Sequence, residues 1–559
     1  MNGGKPVTPD IDLDIDLDPS LWAEGLVVTE VTEETVAAVA EPMAPPGYDE
    51  AKYLRAFGDV GDAVKRGDYA SGLVHYERYG ATENRLEWLI YRHAHPIRET
   101  PQFPAHGADA AFWTASGHAM VIGWMDDAAE PLASLSLVKH ETLLGATAAI
   151  ARCRRQDAER AVGAADGRLL GFWSVFACRT DVGPADVRLV LMTGAECRAI
   201  PMTIQQVSDE RLREIALEYL AHASYWGHPQ VEAFGFLDQG LGSGLVTLSA
   251  SLAERIAAGA FCKHYGPSRA FAASIVVCLY GKVEYMFLQA ALFSRGGGYE
   301  AYEFIYVSNS PELAERLCKE AELAAQIYGL SIALVILPGN AGFGLANNAA
   351  ARFARSDRIM IVNPDVFPRD DGWAAAHTAL LASKPEIETR LFGVPLFYDD
   401  GSLMHAGMYM ELDEGFSVTS TAITRRQLAR VEHFGKGAPP DTAALRRSRP
   451  VPAVSGAFMS VDRDWFERLG GFSASYVFGH YEDADLCLRS LQAGAAVFVH
   501  DLPYWHLEGK GSTRRPVHEG GSLVNRWYFT TEWADVIRDG LMGARPDRLA
   551  ALKHGARAA

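Results

Sequence analysis

Four apolar runs recur between residues 274 and 365, and stretches with helical spacing separate them. The runs are SIVVCLY (274–280), EFIYVSNS (303–310), IALVILP (332–338) and RIMIVNPD (358–365). Near-continuous runs rich in Val and Ile that alternate with helices are typical of strands buried on both faces of a parallel sheet. We therefore predict an α/β fold here, with a Rossmann-like and mostly parallel sheet.

A further helix is predicted from residue 482 onward, because apolar residues then follow the i, i+3, i+4, i+7 spacing of one buried face. Glu482, Asp483 and Asp485 fall in its first turn. The helix dipole favours anions there by about 0.3–1 kcal/mol each, but repulsion among three carboxylates offsets that gain. Capping therefore does not account for all three, and the surplus predicts a site for a cation and a hydroxyl substrate. The apolar residues are Ala484, Cys487, Leu488 and Leu491.

Upstream of these strands the pattern changes twice. Residues 47–95 carry apolar residues at helical spacing, and residues 100–225 contain short β-rich runs with turn residues between them, as in a β-sandwich. The predicted domains are a disordered acidic tail (1–45), a small helical module (46–100), a β-sandwich accessory domain (101–225), a connector (226–268), the α/β domain (269–535) and a C-terminal tail (536–559).

Composition narrows the class of protein. The chain has 559 residues, 48% hydrophobic and 22% charged, as in soluble globular proteins. A net charge of −18 argues against broad binding of nucleic acid or of anionic membranes. Seven cysteines without a CxxC pair, and no signal-peptide pattern, favour a reducing compartment. We expect a cytoplasmic protein without a membrane span, for which peripheral membrane association and homo-oligomerisation remain open.

Polar residues at the strand ends are candidate ligands, because α/β sheets bind ligands at the carboxyl ends of their strands. Asp365 ends the fourth run, where it either caps a turn or binds a cation. With His506, which follows a later apolar run, it would form an Mg²⁺ or Mn²⁺ site, and the mixed O/N ligand set favours Mn²⁺. Lys510 and Arg514 lie in the basic loop after His506 and could hold phosphate oxygens.

Eight stretches between residues 270 and 532 carry a resemblance. Their order matches that of the family 2 inverting glycosyltransferases, which have the GT-A fold, and within that family the chain is most similar to bacterial rhamnosyl- or galactofuranosyltransferases, enzymes of polysaccharide biosynthesis. The stretches are SIVVCLYGKVEYMFLQAAL, EFIYVSNS, LPGNAGFGLANNAAA, IMIVNPDVFP, DGSLMHAGMYM, SGAFMSVDRDWFERLGGF, GHYEDADLCLRSLQAG and YWHLEGKGS.

The resemblance implies roles for individual residues. Asp483 would be the general base, with Glu482 beside it. Asp365 would bind a metal that bridges the donor diphosphate, and Asn363 replaces the usual first Asp, so the ligand set would depend more on His506. The remaining donor-binding residues would be Tyr280, Ser308 and Asn309 around the nucleoside, Asn340, Gly342 and Asn347 beneath the nucleotide-sugar, and Ser455 and Gly456 beside the sugar.

The expected reaction is metal-assisted transfer of a sugar, with inversion, from a nucleoside-diphosphate donor to a hydroxyl group. The acceptor would be a glycan, a lipid-linked glycan or a glycoprotein. Two alternatives remain open: a catalytically lapsed, lectin-like scaffold that binds glycans, and a nucleotide-sugar hydrolase that uses water as acceptor.

Overall fold

The structure is a computed structural model that describes residues 44–45, 48–80, 103–139, 142–164, 168–179, 183, 185–194, 196–222, 229–418, 423–507 and 516–542. The chain divides into two compact units. The C-terminal unit comprises Ser249–Glu414 and the described part of Gln427–Ala559. The N-terminal unit comprises the described part of Thr29–Leu248, together with residues 415–426.

In the N-terminal unit, three short helices precede two sheets. The helices are α1 (Glu50–Ala56), α2 (Gly58–Arg66) and α3 (Gly72–His75), followed by a π-helical turn at Tyr76–Gly80. The strands are β1 (His106–Trp113), β2 (His118–Met125), β3 (Ser134–Lys139), β4 (Thr142–Thr147), β5 (Ala151–Cys153), β6 (Gly171–Ala177), β7 (Val187–Met192), β8 (Cys197–Pro201) and β9 (Ile204–Gln206).

The two sheets have the orders β5-β6-β2-β1-β9 and β4-β3-β7-β8. Their pairs are antiparallel except for β1 with β9. Val121 and Phe172 of the first sheet share one buried cluster with Leu135 and Leu189 of the second. The unit also contains α4 (Gln156–Val162), α5 (Asp209–His222), α6 (Pro229–Phe236) and a π-helical turn at Leu237–Leu241. Helix α7 (Gly242–Ala258) continues past Leu248, where the N-terminal unit ends.

A nine-stranded sheet forms the centre of the C-terminal unit, in the order β10-β13-β12-β11-β14-β22-β16-β23-β21. These strands are β10 (Phe261–Tyr265), β11 (Ala273–Leu279), β12 (Tyr302–Ser308), β13 (Ser331–Ile336), β14 (Arg358–Val362), β16 (Leu391–Gly393), β21 (Arg449–Pro450), β22 (Phe458–Asp462) and β23 (Phe498–Val499). The predicted α/β class is confirmed, and the four apolar runs form β11 to β14.

The sheet is mixed rather than mostly parallel, which corrects the expectation from the sequence. Parallel pairing joins β13, β12, β11 and β14, and again β16 and β23. The other neighbouring strands pair antiparallel. The later strands are short, so they leave no long apolar run in the sequence. Strand β10 is an edge strand with largely exposed side chains, so it left no such run either.

Alternate residues of the central strands supply two buried clusters, one on each face of the sheet. On β11, Val276 and Cys278 belong to one cluster, and Ile275 and Val277 belong to the other. The helices of the unit are α8 (Glu284–Phe293), α9 (Ala314–Tyr328), α10 (Gly342–Ala351), α11 (Trp373–Ser383), α12 (Glu386–Thr389), α13 (Ala443–Arg446), α14 (Arg463–Arg468), α15 (Glu482–Gln492) and α16 (Pro516–Val536). Short 3₁₀ turns lie at Tyr299–Ala301 and Pro311–Leu313, and a π-helical turn at Ile537–Met542.

A smaller sheet of this unit has the order β15-β24-β17-β18, formed by β15 (Val366–Pro368), β24 (Tyr504–His506), β17 (Leu396–Phe397) and β18 (Leu403–His405). A two-stranded hairpin consists of β19 (Met408–Val418) and β20 (Ile423–His433), and its residues 415–426 belong to the N-terminal unit. Within the described ranges, no helix combines the length and the apolar character that crossing a bilayer requires.

Candidate active site

The candidate site lies at the carboxyl ends of the parallel strands. Strand order reverses at β11, because β12 pairs on one side of it and β14 on the other. In α/β sheets such a reversal opens a crevice at the carboxyl edge, where ligands bind. Tyr280 and Asn363 directly follow the two strands that flank this point.

The loop after β13 is shaped by two asparagines from the predicted set. Asn309 donates from Nδ2 to the Gly342 carbonyl at 3.1 Å, and its Oδ1 accepts from the Ala341 N–H at 3.1 Å. Asn340 Oδ1 accepts from the Gly342 N–H at 2.9 Å. At a φ of +78°, Gly342 has left-handed backbone, and a Cβ there would lie 2.8 Å from the Phe478 carbonyl oxygen. Only glycine therefore fits this loop without displacing its neighbours.

Two further predicted donor-binding residues are buried below the crevice. The Ser308 hydroxyl donates to the Ser310 carbonyl at 3.0 Å, and Ser308 has no exposed surface. Asn347 is 1% exposed and donates to the Phe343 carbonyl at 2.9 Å. Its Oδ1 has no hydrogen-bond partner among the described residues. Both side chains thus support the loops around the crevice.

Asp483 is held by two backbone amides. Its Oδ2 accepts from the Gly456 N–H at 2.8 Å, and its Oδ1 accepts from the Ala484 N–H at 2.8 Å. Burial raises the pKa of Asp483 above the usual range, although these two hydrogen bonds act in the opposite direction. An ionised carboxylate offers about four lone-pair sites, so two amide donors leave acceptor capacity for a substrate hydroxyl.

Glu482 lies deeper than its neighbour. Glu482 is 5% exposed, whereas Asp483 is only half-buried. Its Cγ is 3.7 Å from the position that a Cβ on Gly344 would occupy, and its Oε2 has no hydrogen-bond partner among the described residues. Burial, and then the charge of Asp483, raise the pKa of Glu482 well above the usual range. Adjacent helix positions do not face each other, so the two carboxyls meet different surroundings.

The third carboxylate of the acidic turn has a structural role. Asp485 accepts from Arg489 Nε at 2.8 Å and from Trp533 Nε1 at 3.0 Å. The Arg489 contact lies within α15, and the Trp533 contact joins α15 to α16. The predicted buried face of α15 is confirmed, since Ala484, Cys487, Leu488 and Leu491 are each 8% exposed or less.

Asp365 and His506 lie next to each other. Pairing of β15 with β24 sets Val366 opposite His506, and the Asp365 Oδ1 is 3.5 Å from His506 Nε2. His506 Nδ1 is 3.2 Å from the Met404 sulfur, an acceptor, so a proton on Nδ1 leaves the Nε2 lone pair directed at Asp365.

This pair fits two ligands of one divalent cation. The 3.5 Å separation exceeds a hydrogen bond and is shorter than the sum of two ligand bonds of about 2.0–2.2 Å each. Within the described ranges, no group of three or more His, Cys, Asp or Glu side chains is arranged to hold a metal ion. The remaining ligands would therefore be substrate or solvent oxygens.

A short run of backbone contacts connects Asp483 with the segment that carries Asp365. Gly456 donates to Asp483, and the carbonyl of the next residue, Ala457, accepts from the Asn363 N–H at 2.9 Å. Asn363 precedes Asp365 by two residues. The predicted wall residue Ser455 accepts from the Ala457 N–H at 3.2 Å through its hydroxyl. Asp483, Asp365 and His506 are therefore brought to the same edge of the sheet.

Tyr280 borders this edge as part of an aromatic group. Its ring centroid is 6.0 Å from that of His518, and the His518 ring is 5.1 Å from that of Phe478. Lys510 and Arg514, the predicted phosphate contacts, lie outside the described residues.

The sequence did not point to a left-handed turn immediately before α15. Phe478, His480 and Tyr481 have φ values of 59°, 86° and 75°. Left-handed backbone costs a non-glycine residue about 1–2 kcal/mol. Such strain persists only where surrounding contacts hold it, and it is concentrated at functional sites. The Phe478 carbonyl accepts from the Phe343 N–H, which ties the turn to the loop after β13.

A second missed feature is the pair of His405 and His433, whose Nδ1 atoms are 2.7 Å apart. His405 Nε2 accepts from the N–H groups of Gly407 at 3.2 Å and Ser455 at 3.4 Å. Since Nε2 is an acceptor, the ring proton is on Nδ1 and is donated to His433. Burial, and then nearby His433, hold the pKa of His405 well below its usual value.

Comparisons with known proteins give distant similarities. No protein-family profile matches the chain. An uncharacterized protein of Sinorhizobium fredii, y4gI, is 29% identical over 198 residues, which is 35% of this chain and 20% of that protein. The chain thus spans about a fifth of the length of this curated relative.

The chain is also similar to parts of several solved structures. GalNAc-T7 with UDP, GalNAc and Mn²⁺ is 15% identical over 50% of this chain and 51% of that chain, with a TM-score of 0.34. The mannosyltransferase PcManGT from Pyrobaculum calidifontis, in complex with GDP-Man and Mn²⁺, is 13% identical over 58% and 91%, with a TM-score of 0.30. S. aureus TarS 1-349 in complex with UDP-GlcNAc is 12% identical over 44% and 59%, with a TM-score of 0.29. At these low TM-scores, the similarities do not by themselves establish a shared fold or activity.

Proposed function

We propose that the C-terminal unit is an inverting glycosyltransferase. It would transfer a sugar from a nucleoside-diphosphate donor to a hydroxyl of a glycan, a lipid-linked glycan or a glycoprotein. The observation that carries the proposal is the Asp483 carboxylate, which is fixed by two amides at the sheet edge that also bears Asp365 and His506.

Asp483 acts as the general base. An acceptor hydroxyl is a weak nucleophile until its proton is removed, and a carboxylate within hydrogen-bond reach accelerates that step by about 10²–10⁴-fold. The raised pKa of Asp483 increases its basicity over an exposed aspartate. The Gly456 and Ala484 amides orient the carboxylate, so its remaining lone pairs face the acceptor side.

Glu482, in its protonated form, adds no second negative charge beside the base. Its raised pKa and its burial favour the protonated form in the free protein. Two ionised carboxylates side by side would repel each other and weaken binding of an anionic donor. A neutral Glu482 leaves Asp483 as the charged group of the pair.

Asp365 and His506 would hold a divalent cation on the donor side, through a hard oxygen ligand and an imidazole nitrogen, a combination that suits Mn²⁺ or Mg²⁺. When bound, such a cation would neutralise charge that develops on the leaving diphosphate. The asparagines of the loop after β13 would form the floor beneath the donor. Lys510 and Arg514, which lie outside the described residues, stay predicted phosphate contacts. Attack from the face opposite the diphosphate inverts the anomeric carbon.

A donor panel tests the proposal. The protein is incubated with UDP-, GDP- and dTDP-sugars, Mn²⁺ and a mixture of glycan acceptors, and products are identified by mass spectrometry. A sugar added to an acceptor, dependent on Asp483, is the expected outcome. Release of free sugar without transfer would make the unit a nucleotide-sugar hydrolase. Glycan binding without any nucleotide binding would make it a lectin-like scaffold.

A further inference from the structure

The turn before α15 is held by one side chain, Asn525 of α16. Its Oδ1 accepts from the Val477 N–H at 2.6 Å. Its Nδ2 donates toward the carbonyls of Val477 at 2.9 Å, Gly479 at 2.7 Å and His480 at 3.1 Å. Asn525 has no exposed surface, so its contacts do not compete with water. One buried amide thus contacts four backbone groups of a single turn, with the two Nδ2 hydrogens shared among three carbonyls.

Those backbone groups belong to the segment with left-handed backbone. Phe478 and His480 have positive φ. Asn525 contacts the His480 carbonyl, and Phe478 lies between the contacted residues Val477 and Gly479. Tyr481, also left-handed, directly precedes the first residue of α15. The Asp485 N–H donates to the Tyr481 carbonyl at 2.9 Å, so the turn sets where the helix begins. Asp483 is the second residue of that helix.

Helix α16 holds α15 at a second point as well. Trp533 donates to Asp485, two residues beyond the base, and the ring centroids of Tyr481 and Phe529 are 5.1 Å apart. These contacts fix the side of α15 that faces α16. The Tyr481 contact reaches only the last residue of the strained turn, whereas Asn525 contacts the backbone of residues 477, 479 and 480.

We propose that Asn525 is a positioning residue for the base. By holding the turn of residues 477–481 in its left-handed form, Asn525 sets the Asp483 carboxylate against the Gly456 amide. The kinetic consequences of this inference rest on the proposed function. It assigns no contact with substrate to Asn525, which acts through the backbone of the turn.

Asn525→Asp tests the inference, because it preserves side-chain volume and the acceptor for Val477 but sets a carboxylate oxygen against the three carbonyls. Asn525→Ala removes both functions and serves as a second variant. Thr530→Ala is the matched control, since Thr530 is also a buried polar residue of α16 but accepts from the Ala429 N–H at 3.0 Å, away from the turn. All rates are measured on the folded fraction, below the melting transition.

The expected result is a fall in kcat of about 10- to 100-fold in both Asn525 variants, with the donor KM unchanged. The acidic limb of the kcat/KM profile moves to higher pH, because a weaker Gly456–Asp483 hydrogen bond raises the pKa of the base. Thr530→Ala lowers the melting temperature without changing kcat or the pH profile. A merely structural role for Asn525 would give the same pattern as this control.

Hydrogen exchange gives a readout that needs no substrate. The amides of Phe343 and Gly456 donate to the Phe478 carbonyl and to Asp483, so both exchange faster in the Asn525 variants and not in Thr530→Ala. Normal kcat, an unshifted profile and unchanged exchange at these amides would overturn the inference while leaving the proposed function intact. If the wild-type chain transfers no sugar, the proposed function fails, and unchanged exchange alone would then overturn the positioning role.

Discussion

Gly456 donates its backbone N–H to the Asp483 carboxylate at 2.8 Å. A side chain at position 456 would lie close to Asp483 and to Phe343. A Cβ there would lie 3.4 Å from the Asp483 Cβ and 3.1 Å from the Phe343 ring. The close approach of this backbone to the acidic helix fixes the carboxylate at the edge of the crevice. Replacing Gly456 therefore perturbs the base without removing it.

Gly456→Ala is expected to lower kcat by about 3- to 30-fold, because a shift of about an ångström in a reacting group can cost up to 10²-fold. Steady-state kinetics with donor and acceptor measure the effect. Gly297→Ala is the matched control, since a Cβ on Gly297 meets no atom within 4 Å. Equal kinetics in the two variants would argue against a constrained base.

His506→Ala is expected to weaken Mn²⁺ binding by at least about 10–100-fold, because one of the two protein ligands is lost. Titration calorimetry with MnCl₂ and a nucleoside diphosphate measures the affinity. His264→Ala, at an exposed histidine of the edge strand β10, should leave the affinity unchanged. Unaltered Mn²⁺ affinity in His506→Ala would remove His506 from the cation site.

Glu482→Gln is expected to raise stability relative to the wild type as the pH rises above the ordinary pKa of a glutamate. The folded-state pKa of Glu482 lies above its unfolded value, so its contribution to stability is fully present below the unfolded pKa and is lost as pH rises through the folded pKa. Glutamine stays neutral, so the variant lacks this loss. Melting temperatures of the wild type and of Glu482→Gln, measured from about pH 4 to about pH 9, test this expectation. A wild-type curve no steeper than that of the variant would contradict a buried, protonated Glu482.

Long apolar patterns made much of the C-terminal unit predictable. The runs that became β11 to β14 were identified within three residues of their ends, as expected when β-branched residues dominate a strand. The start of α15 at Glu482 followed from the helical spacing of its buried residues. Asp365 and His506 could be associated because both follow apolar runs, and the pairing of β15 with β24 sets them 3.5 Å apart.

The features that the sequence concealed depend on contacts between distant segments. Asn525 lies 45 or more residues beyond the turn that it holds, and no spacing rule connects them. Left-handed backbone at Phe478 and His480 contradicts local preference and is imposed by the surrounding structure. The sequence also could not show that Glu482 is more buried than Asp483, because adjacent acidic residues differ in burial only once the helix is packed.

The most direct test of the central claim compares Asp483→Asn with the wild-type chain in one preparation. Asparagine preserves the shape of the side chain and can still accept from the Gly456 amide, but it cannot take a proton. Sugar transfer should fall by about 10²–10⁴-fold while nucleotide-sugar affinity, measured by calorimetry, stays near that of the wild type. Transfer at the wild-type rate in Asp483→Asn would contradict the account.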